Sequence, residues 1–297
     1  MRGLQPEGAA LTTRDALVTT VLGCLALVLA GCGGSGGPST QEPAPTSARP
    51  ETAPATTPSA SPHVDLMPLD ERCGLAGVQA GTAARVITTA RDRQLYAVGA
   101  GRGRLGVVLV HGSGSRGLCN WAKEIGWLTK AGLHVVGYDQ ACVGESACPG
   151  VSRPVDDLIS VVAELRSRGA TQVAVVGASA GGTLPLIAAA RPKSGISAVV
   201  SLSAANLAAP LGTADAPDVA ATSIATALRV PVLYVLARDD TASSVAEITA
   251  LRKATRASRL ILLPAGSGHA QEVLYDEAGM QPSTFRQAFL AFLHSPK

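Results

Sequence analysis

Short apolar runs that alternate with helix-like segments constrain the fold of this chain most strongly. Eight such runs have the length and composition of β-strands: Arg85–Thr89, Gln94–Val98, Gly106–Val110, His134–Tyr138, Gln172–Val176, Ala198–Leu202, Pro231–Leu236 and Arg259–Leu263. Several are apolar throughout, which is typical of parallel strands covered on both faces. The first two runs flank Asp92-Arg93, and this spacing favours a hairpin.

Helical patterns fill most of the intervals between these runs. They cover Asn120–Lys130, Val155–Arg168, Gly181–Ala190, Ser244–Ala257 and Ser283–His294. Ser244 and Glu247 have the spacing of a capping box, in which each side chain accepts a hydrogen bond from the other residue's backbone. Strands that alternate with helices of this length predict an α/β fold, with a mainly parallel sheet of about eight strands and helices on both faces.

The N-terminal segment predicts export. An uncharged run over residues 16–30 is shorter than the roughly 20 apolar residues of a membrane span, but it suits a signal peptide. The run ends in Leu-Ala-Gly-Cys32, which resembles the lipobox of bacterial lipoproteins. That resemblance implies cleavage before Cys32 and lipidation of its thiol. The alternative is an uncleaved N-terminal anchor, and both place the protein at the outer face of the cell membrane.

The residues after Cys32 are mainly Gly, Pro, Ser, Thr and Ala as far as residue 62. Such a segment buries too little apolar surface to fold, so it predicts a disordered tether. The expected organisation is therefore a signal peptide over 1–31, a lipidated cysteine and tether over 32–62, and a folded domain over 63–297. The net charge of +3 and the 3% of aromatic residues argue against a nucleic-acid partner.

Four cysteines fall in the predicted domain: Cys73, Cys119, Cys142 and Cys148. An even number in an exported chain predicts disulfides, with three possible connectivities. The short loop between them favours Cys142–Cys148, and Cys73–Cys119 then follows. The alternative is four buried thiols. The chain has no CxxC pair or histidine cluster beside them, so we predict no metal site and no cofactor.

Ser179 lies in Gly177-Ala-Ser-Ala-Gly181, between the apolar run that ends at Val176 and a helical pattern. This GxSxG pattern is typical of a nucleophile elbow, in which small residues let a strand turn sharply into a helix. The pentapeptide alone is weak support in a chain rich in glycine and serine. The strand before it and the helix after it make Ser179 a candidate nucleophile.

An acid and a histidine follow Ser179 in the chain, each just after a predicted strand. Asp239 and Asp240 end one apolar run, and His269 lies in a Gly-Ser-Gly-His loop after the next. Parallel strands bring their carboxyl ends to one edge of a sheet, where ligand sites of α/β folds lie. The order serine, acid, histidine is the order found in α/β-hydrolases.

From residue 85 to residue 293 the chain resembles the α/β-hydrolase family. The resemblance implies Ser179 as nucleophile, His269 as general base and then general acid, and Asp240 as the group that orients the imidazole. Asp239 is the alternative acid. Asp240 is favoured because the family commonly has a small residue three positions before the acid, and Ala237 fits.

The resemblance also implies an oxyanion hole. The third predicted strand runs into His111-Gly-Ser113, and similar hydrolases take one backbone donor from the loop after His-Gly. Mapped onto this chain, the donors are the N–H groups of Ser113 and Ala180. We expect His111 to shape this loop. The turn that begins with Asp139 departs from the family pattern at Gln140, and we expect it to be structural.

The implied activity is carboxylesterase-like cleavage of an ester through an acyl-enzyme. The same triad would also serve an acyltransferase, a thioesterase or a peptidase, and a non-catalytic binding lipoprotein is a further alternative. The interval from Ala204 to Arg229 contains one short helical candidate, Val219–Leu228. We therefore expect a small cap or none, and an open site for small-molecule or surface-borne esters with short acyl chains.

Overall fold

The computed structural model describes residues 64–74, 81–148, 150–205, 215, 221–276 and 279–296. The predicted signal peptide, the lipidation site Cys32 and the predicted tether lie outside these residues. No helix in the described ranges is long and apolar enough to cross a membrane.

Within the described ranges, eight strands form one sheet, which confirms the predicted fold class. They are β1 (Thr82–Thr88), β2 (Gln94–Ala100), β3 (Leu105–Val110), β4 (His134–Tyr138), β5 (Gln172–Ala178), β6 (Ala198–Leu202), β7 (Val232–Ala237) and β8 (Ser258–Leu263). Their order across the sheet is β1-β2-β4-β3-β5-β6-β7-β8. The first two pair as the predicted antiparallel hairpin, β2 is antiparallel to β4, and the pairs from β4 to β8 are parallel.

Seven α-helices accompany the sheet in the described residues: α1 (Leu69–Cys73), α2 (Ala122–Lys130), α3 (Pro154–Ser167), α4 (Ala180–Ala190), α5 (Ala221–Ala227), α6 (Val245–Ala254) and α7 (Phe285–His294). Apolar residues of α3, α4, α5 and α6 pack on one face of the sheet. Those of α1, α2 and α7 pack on the other face. Burial on both faces explains why the central strands are apolar at successive positions.

Several helix boundaries differ from the sequence prediction. The predicted helix Asn120–Lys130 begins instead as a 3-10 segment, Gly117–Trp121, before α2. The predicted helix Ser244–Ala257 extends three residues beyond the last residue of α6. The helix stops at Ala254 because Thr255 is extended, and Ser258 already belongs to β8. Ser244 caps α6 by accepting a hydrogen bond from the Glu247 N–H at 3.3 Å. Between β6 and β7 the described residues form the short helix α5, which lies inside the predicted helical candidate Val219–Leu228.

Candidate active site

The backbone of Ser179 adopts an uncommon conformation at the junction of β5 and α4. Its φ is 54° and its ψ is −127°, and a positive φ is unfavourable for a residue with a side chain. Hydrogen bonds on both sides hold this turn. The Ser179 N–H donates to the Leu202 carbonyl at 2.9 Å, and the Ser179 carbonyl accepts from Gly182 at 2.8 Å and Ala205 at 3.1 Å. The serine side chain is therefore presented at the helix N-terminus in a fixed position.

The two glycines of the elbow have no room for a side chain. A Cβ atom at Gly177 would overlap the carbonyl oxygen of Gly181, and one at Gly181 would overlap the carbonyl oxygen of His111. Strand β5 thus turns into α4 with its backbone in close contact with the end of β3. This contact is the physical reason for glycine at both positions.

Asp240 and His269 meet at the same edge of the sheet, just after β7 and β8. Nδ1 of His269 lies 2.9 Å from Oδ2 and 3.0 Å from Oδ1 of Asp240. The Asp240 side chain is fully buried, whereas 33% of the His269 side chain is exposed. Oδ1 of Asp240 also accepts hydrogen bonds from the N–H groups of Ala242 at 2.9 Å and Ser243 at 3.1 Å.

These contacts control the charge of Asp240. Burial by itself raises the pKa of this carboxyl group, but the Ser203 hydroxyl, His269 and the Ala242 N–H outweigh burial and lower the pKa below its usual value. Asp240 is therefore a carboxylate facing the imidazole. Asp239 instead accepts a hydrogen bond from the Gly266 N–H at 3.0 Å, in the loop that leads to His269.

The loop after β3 lies against the elbow. Val110 at the end of β3 pairs with Gly177, and a Cβ atom built at Gly112 would lie 3.6 Å from Oγ of Ser179. The next residue is Ser113, whose N–H donates to no acceptor among the described residues. Ala180 is the first residue of α4, so its N–H has no partner within the helix. Among the described residues, the N–H groups of both predicted donors thus have no acceptor, and they lie in the two segments next to the Ser179 side chain.

His111 links this loop to the turn after β4. Its Nε2 accepts from the Gln140 N–H at 3.0 Å, and its Nδ1 lies 2.7 Å from the Gly112 carbonyl oxygen. The Gln140 amide also donates to the His111 carbonyl at 2.9 Å. Burial lowers the pKa of His111, so the ring is neutral and carries its proton on Nδ1. His111 is a structural bridge that holds the loop beside Ser179.

Two cysteine pairs lie at disulfide distance, and both match the pairing that the sequence favours. Cys73 is bonded to Cys119 with a Cα separation of 5.3 Å, and Cys142 to Cys148 with 4.1 Å. The first bond ties α1 to the 3-10 segment that follows the Ser113 loop. Arg72 strengthens this connection, because its guanidinium lies 2.5 Å from the buried Asp139 carboxylate.

Two cavities flank the site. A pocket of about 240 Å³ lies on the side of the two free N–H groups and is lined by Ser113, Ala180, Val143 and Leu184 among others. A wider cleft of about 700 Å³ lies on the side of the His269 loop, where Gly268 and Gln271 form part of its wall. Across the described ranges, no group of three or more His, Cys, Asp or Glu side chains could hold a metal ion.

A family model described as serine aminopeptidase, S33, matches residues 102–264. The chain belongs to this family. It is therefore a serine hydrolase of the α/β-hydrolase fold. No curated protein sequence matches this chain significantly.

Solved structures show the same fold at low sequence identity. An esterase from Pyrococcus furiosus aligns with a TM-score of 0.57 and 16% identity, over 73% of this chain and 90% of the esterase. A proline iminopeptidase from Mycobacterium smegmatis aligns with 0.56 and 15%, over 71% and 98%. A meta-cleavage product hydrolase from Pseudomonas fluorescens aligns with 0.57 and 16%, over 72% and 98%. At this identity the likeness shows the fold alone.

Some residues that shape the site were not singled out from the sequence. Ser203 follows β6, has a φ of 46° and places its hydroxyl beside Asp240. Glu272 accepts a hydrogen bond from the His269 N–H at 3.0 Å and so orients the histidine backbone. A search for polar residues just after each strand would have found Ser203. Glu272 has no such signal, because its role depends on how the loop after β8 folds back.

Proposed function

We propose that this protein is a carboxylic ester hydrolase with Ser179, His269 and Asp240 as its catalytic triad. The single observation that carries the proposal is the contact between Asp240 and His269 at the sheet edge where Ser179 occupies its strained turn. A carboxylate at Nδ1 leaves Nε2 of the imidazole free to accept a proton, which is what a serine nucleophile requires.

In this mechanism the Ser179 hydroxyl attacks the ester carbonyl carbon while His269 accepts the hydroxyl proton. The carbonyl oxygen becomes an oxyanion, and the N–H groups of Ser113 and Ala180 stabilise it. The tetrahedral intermediate then collapses. The bond to the alcohol breaks, and His269 donates its proton to the departing oxygen. Water repeats the sequence on the acyl-enzyme and releases the acid.

The dimensions of the site support a short acyl group. The pocket beside Ser113 and Ala180 has a volume of about 240 Å³ and apolar side chains from Val143 and Leu184. An acyl chain bound there extends from a carbonyl group whose oxygen faces the two N–H groups. Once an acyl chain fills this small pocket, further methylene groups add little to its binding free energy.

Labelling with a fluorophosphonate probe tests the proposed nucleophile. We expect the wild-type protein to react covalently and Ser179→Ala to remain unlabelled. Ser167→Ala is a matched control, because Ser167 is the last residue of α3, before β5 begins and therefore far from the elbow at the other end of β5, and it should label like the wild type. Equal labelling of Ser179→Ala, or no labelling of the wild type, contradicts the proposal.

A peptidase is the second candidate, because the matching family model is described as serine aminopeptidase. A panel with a shared acyl group, presented as p-nitrophenyl ester, thioester and anilide, separates the candidates. We expect the ester to be cleaved with the highest kcat/KM. A higher kcat/KM on aminoacyl anilides and short peptides would favour the peptidase.

We also propose that the protein is an extracytoplasmic lipoprotein anchored through Cys32. The support is the Leu-Ala-Gly-Cys32 sequence after an uncharged run. Cys32→Ser should shift the full-length protein from the membrane fraction to a soluble fraction, whereas Cys24→Ser should leave it at the membrane. Unchanged retention of Cys32→Ser contradicts lipid anchoring.

A further inference from the structure

A turn closed by a disulfide forms one wall of the pocket beside the two oxyanion donors. This pocket of about 240 Å³ is called the acyl pocket below. Cys142 is bonded to Cys148, and Val143, which directly follows Cys142, lines the acyl pocket. The same turn departs from the family pattern at Gln140, so its contribution to the pocket does not follow from family membership.

We propose that Val143 is the specificity-determining residue that limits the size of the acyl group, and that the Cys142–Cys148 bond keeps Val143 in this position. The inference rests on the proposed ester hydrolysis. It adds the structural determinant of acyl specificity, which neither the triad nor the two oxyanion donors contain.

The lining of the acyl pocket gives the direction of a bound acyl chain. The carbonyl oxygen lies at the N–H groups of Ser113 and Ala180, and both residues line the pocket. Leu184 lines it as well, and it lies four residues after Ala180, on the same side of α4 and one turn farther on. The acyl chain therefore extends from the donors along α4. The other apolar lining residues belong to the segment from the end of β4 to the start of α3: Ala141, Val143 and Pro154.

Val143 differs from the other large apolar lining residues in its surroundings. Leu184 and Pro154 are buried in the core, whereas Val143 is half-buried. Its Cγ1 would lie 3.1 Å from a Cβ atom built at Gly117, in the segment that follows the Ser113 loop. Val143 thus packs beside the oxyanion loop and borders the acyl chain, so a change in its size alters the pocket more than the core.

Backbone contacts inside the turn fix the position of Val143. Cys142 has a φ of 65°, which is unfavourable for a residue with a side chain. Its N–H donates to the Ala147 carbonyl at 3.2 Å, and the Val143 carbonyl accepts from the Ser146 N–H at 3.1 Å. The bond to Cys148 closes the turn around these contacts. Without it, Cys142 could relax to a more favourable φ, and Val143 would move with it.

The buried carboxylate of Asp139 fastens the turn from outside. It accepts hydrogen bonds from the Leu118 N–H at 2.7 Å and from the Glu145 N–H at 3.2 Å. Leu118 belongs to the 3-10 segment, and Glu145 lies within the turn that contains Val143. A wall held on both sides in this way cannot retreat from a longer acyl chain, so the chain length is selected by the space in front of Val143.

The p-nitrophenyl esters of acetate, butyrate and octanoate test this inference. For the wild type we expect kcat/KM to be at least about 10-fold higher on butyrate than on octanoate. Val143→Ala removes two methyl groups from the wall and should reduce this ratio about five-fold or more. Val143→Ile adds a methylene group and should lower kcat/KM on butyrate several-fold relative to acetate. Each ratio is measured within one preparation, so the fraction of folded protein cancels.

Two further proteins separate the residue from the disulfide. Val151→Ala is the matched control, because Val151 is 53% exposed in the same segment and is not a lining residue of the acyl pocket. Its ratios should stay within about two-fold of wild type. The double variant Cys142→Ser/Cys148→Ser should shift the ratio of butyrate to octanoate in the direction of Val143→Ala. An unchanged ratio in this double variant would contradict the role of the disulfide.

The inference is overturned if both Val143 variants keep the wild-type ratios, or if the wild type prefers octanoate. In either case the proposed function still stands as long as the esters are hydrolysed and the fluorophosphonate labels Ser179. A wild type that hydrolyses none of the esters and is not labelled would instead reject the proposed function, and the inference with it.

Discussion

Both carboxylate oxygens of Asp240 lie within 3.0 Å of Nδ1 of His269, while the adjacent Asp239 bonds to the backbone of Gly266. Two neighbouring acids at the end of one strand therefore have different partners. One faces the imidazole, and the other fastens the loop that carries it. This difference separates their expected contributions to catalysis.

Asp240→Asn should lower kcat on the order of 10⁴-fold, because an amide at this position favours the wrong tautomer of His269. Asp239→Asn is the matched control and should lower kcat less than about 10-fold, since an amide oxygen can still accept from Gly266. Steady-state kinetics on p-nitrophenyl acetate measures both. A larger loss in Asp239→Asn would reverse the assignment of the acid.

His111→Ala should lower kcat by about 10-fold to 100-fold with a smaller effect on KM. The substitution removes the bridge between Gly112 and Gln140, and a displaced Ser113 N–H would stabilise the oxyanion less well. The rate of fluorophosphonate labelling should fall in parallel. A matched control is His134→Gln, at a buried position of β4 away from the elbow. If both variants retain wild-type kcat, the bridge does not position the loop.

The two disulfides should differ in their contribution to stability. Replacing Cys73 and Cys119 by serine removes a disulfide that joins residues 46 positions apart in the sequence. In the chain-entropy model this loss lowers the free energy of unfolding by about 4 kcal/mol. Replacing Cys142 and Cys148 by serine removes a disulfide that joins residues 6 positions apart, and the expected loss of unfolding free energy is about 2 kcal/mol. Urea denaturation of the two double variants gives the comparison. The opposite order would show that native contacts, rather than loop entropy, dominate.

Glu124 should make stability depend on pH. Burial raises the pKa of its carboxyl group from 4.5 to about 7, although Tyr275, Arg286 and Lys123 oppose the shift. The folded state then holds its proton more tightly than the unfolded state. The stabilisation is complete below the unfolded pKa and is lost as pH rises through the folded pKa.

Glu124→Gln removes this dependence because glutamine does not ionise. Relative to that variant, the wild type should lose about 3 kcal/mol of unfolding free energy between pH 4 and pH 8. Urea titrations of both proteins across this range test the difference, and other titrating groups cancel in the comparison. Parallel curves would mean that the pKa of Glu124 is the same in the folded and unfolded states, which contradicts the effect of burial.

Local sequence determined much of this protein. The strands His134–Tyr138 and Ala198–Leu202 occur at their predicted bounds, because an apolar β-branched run between polar turns favours a strand wherever the sheet lies. The sequence also predicts the turn at Ser179, because the backbone contacts of the turn itself require glycine at positions 177 and 181. The hairpin around Asp92, with its φ of 58°, depends on residues close in the chain in the same way.

The tertiary structure decided which side chains from distant parts of the sequence come into contact. The sequence favours Asp240 over the adjacent Asp239 through Ala237, but only the packing of β7 against β8 places the Asp240 carboxylate at His269. The bridge from His111 to Gln140 and the burial of Glu124 beside Tyr275 arise in the same way. Hydrogen bonds and burial act through space, whereas the sequence pattern records only neighbours along the chain.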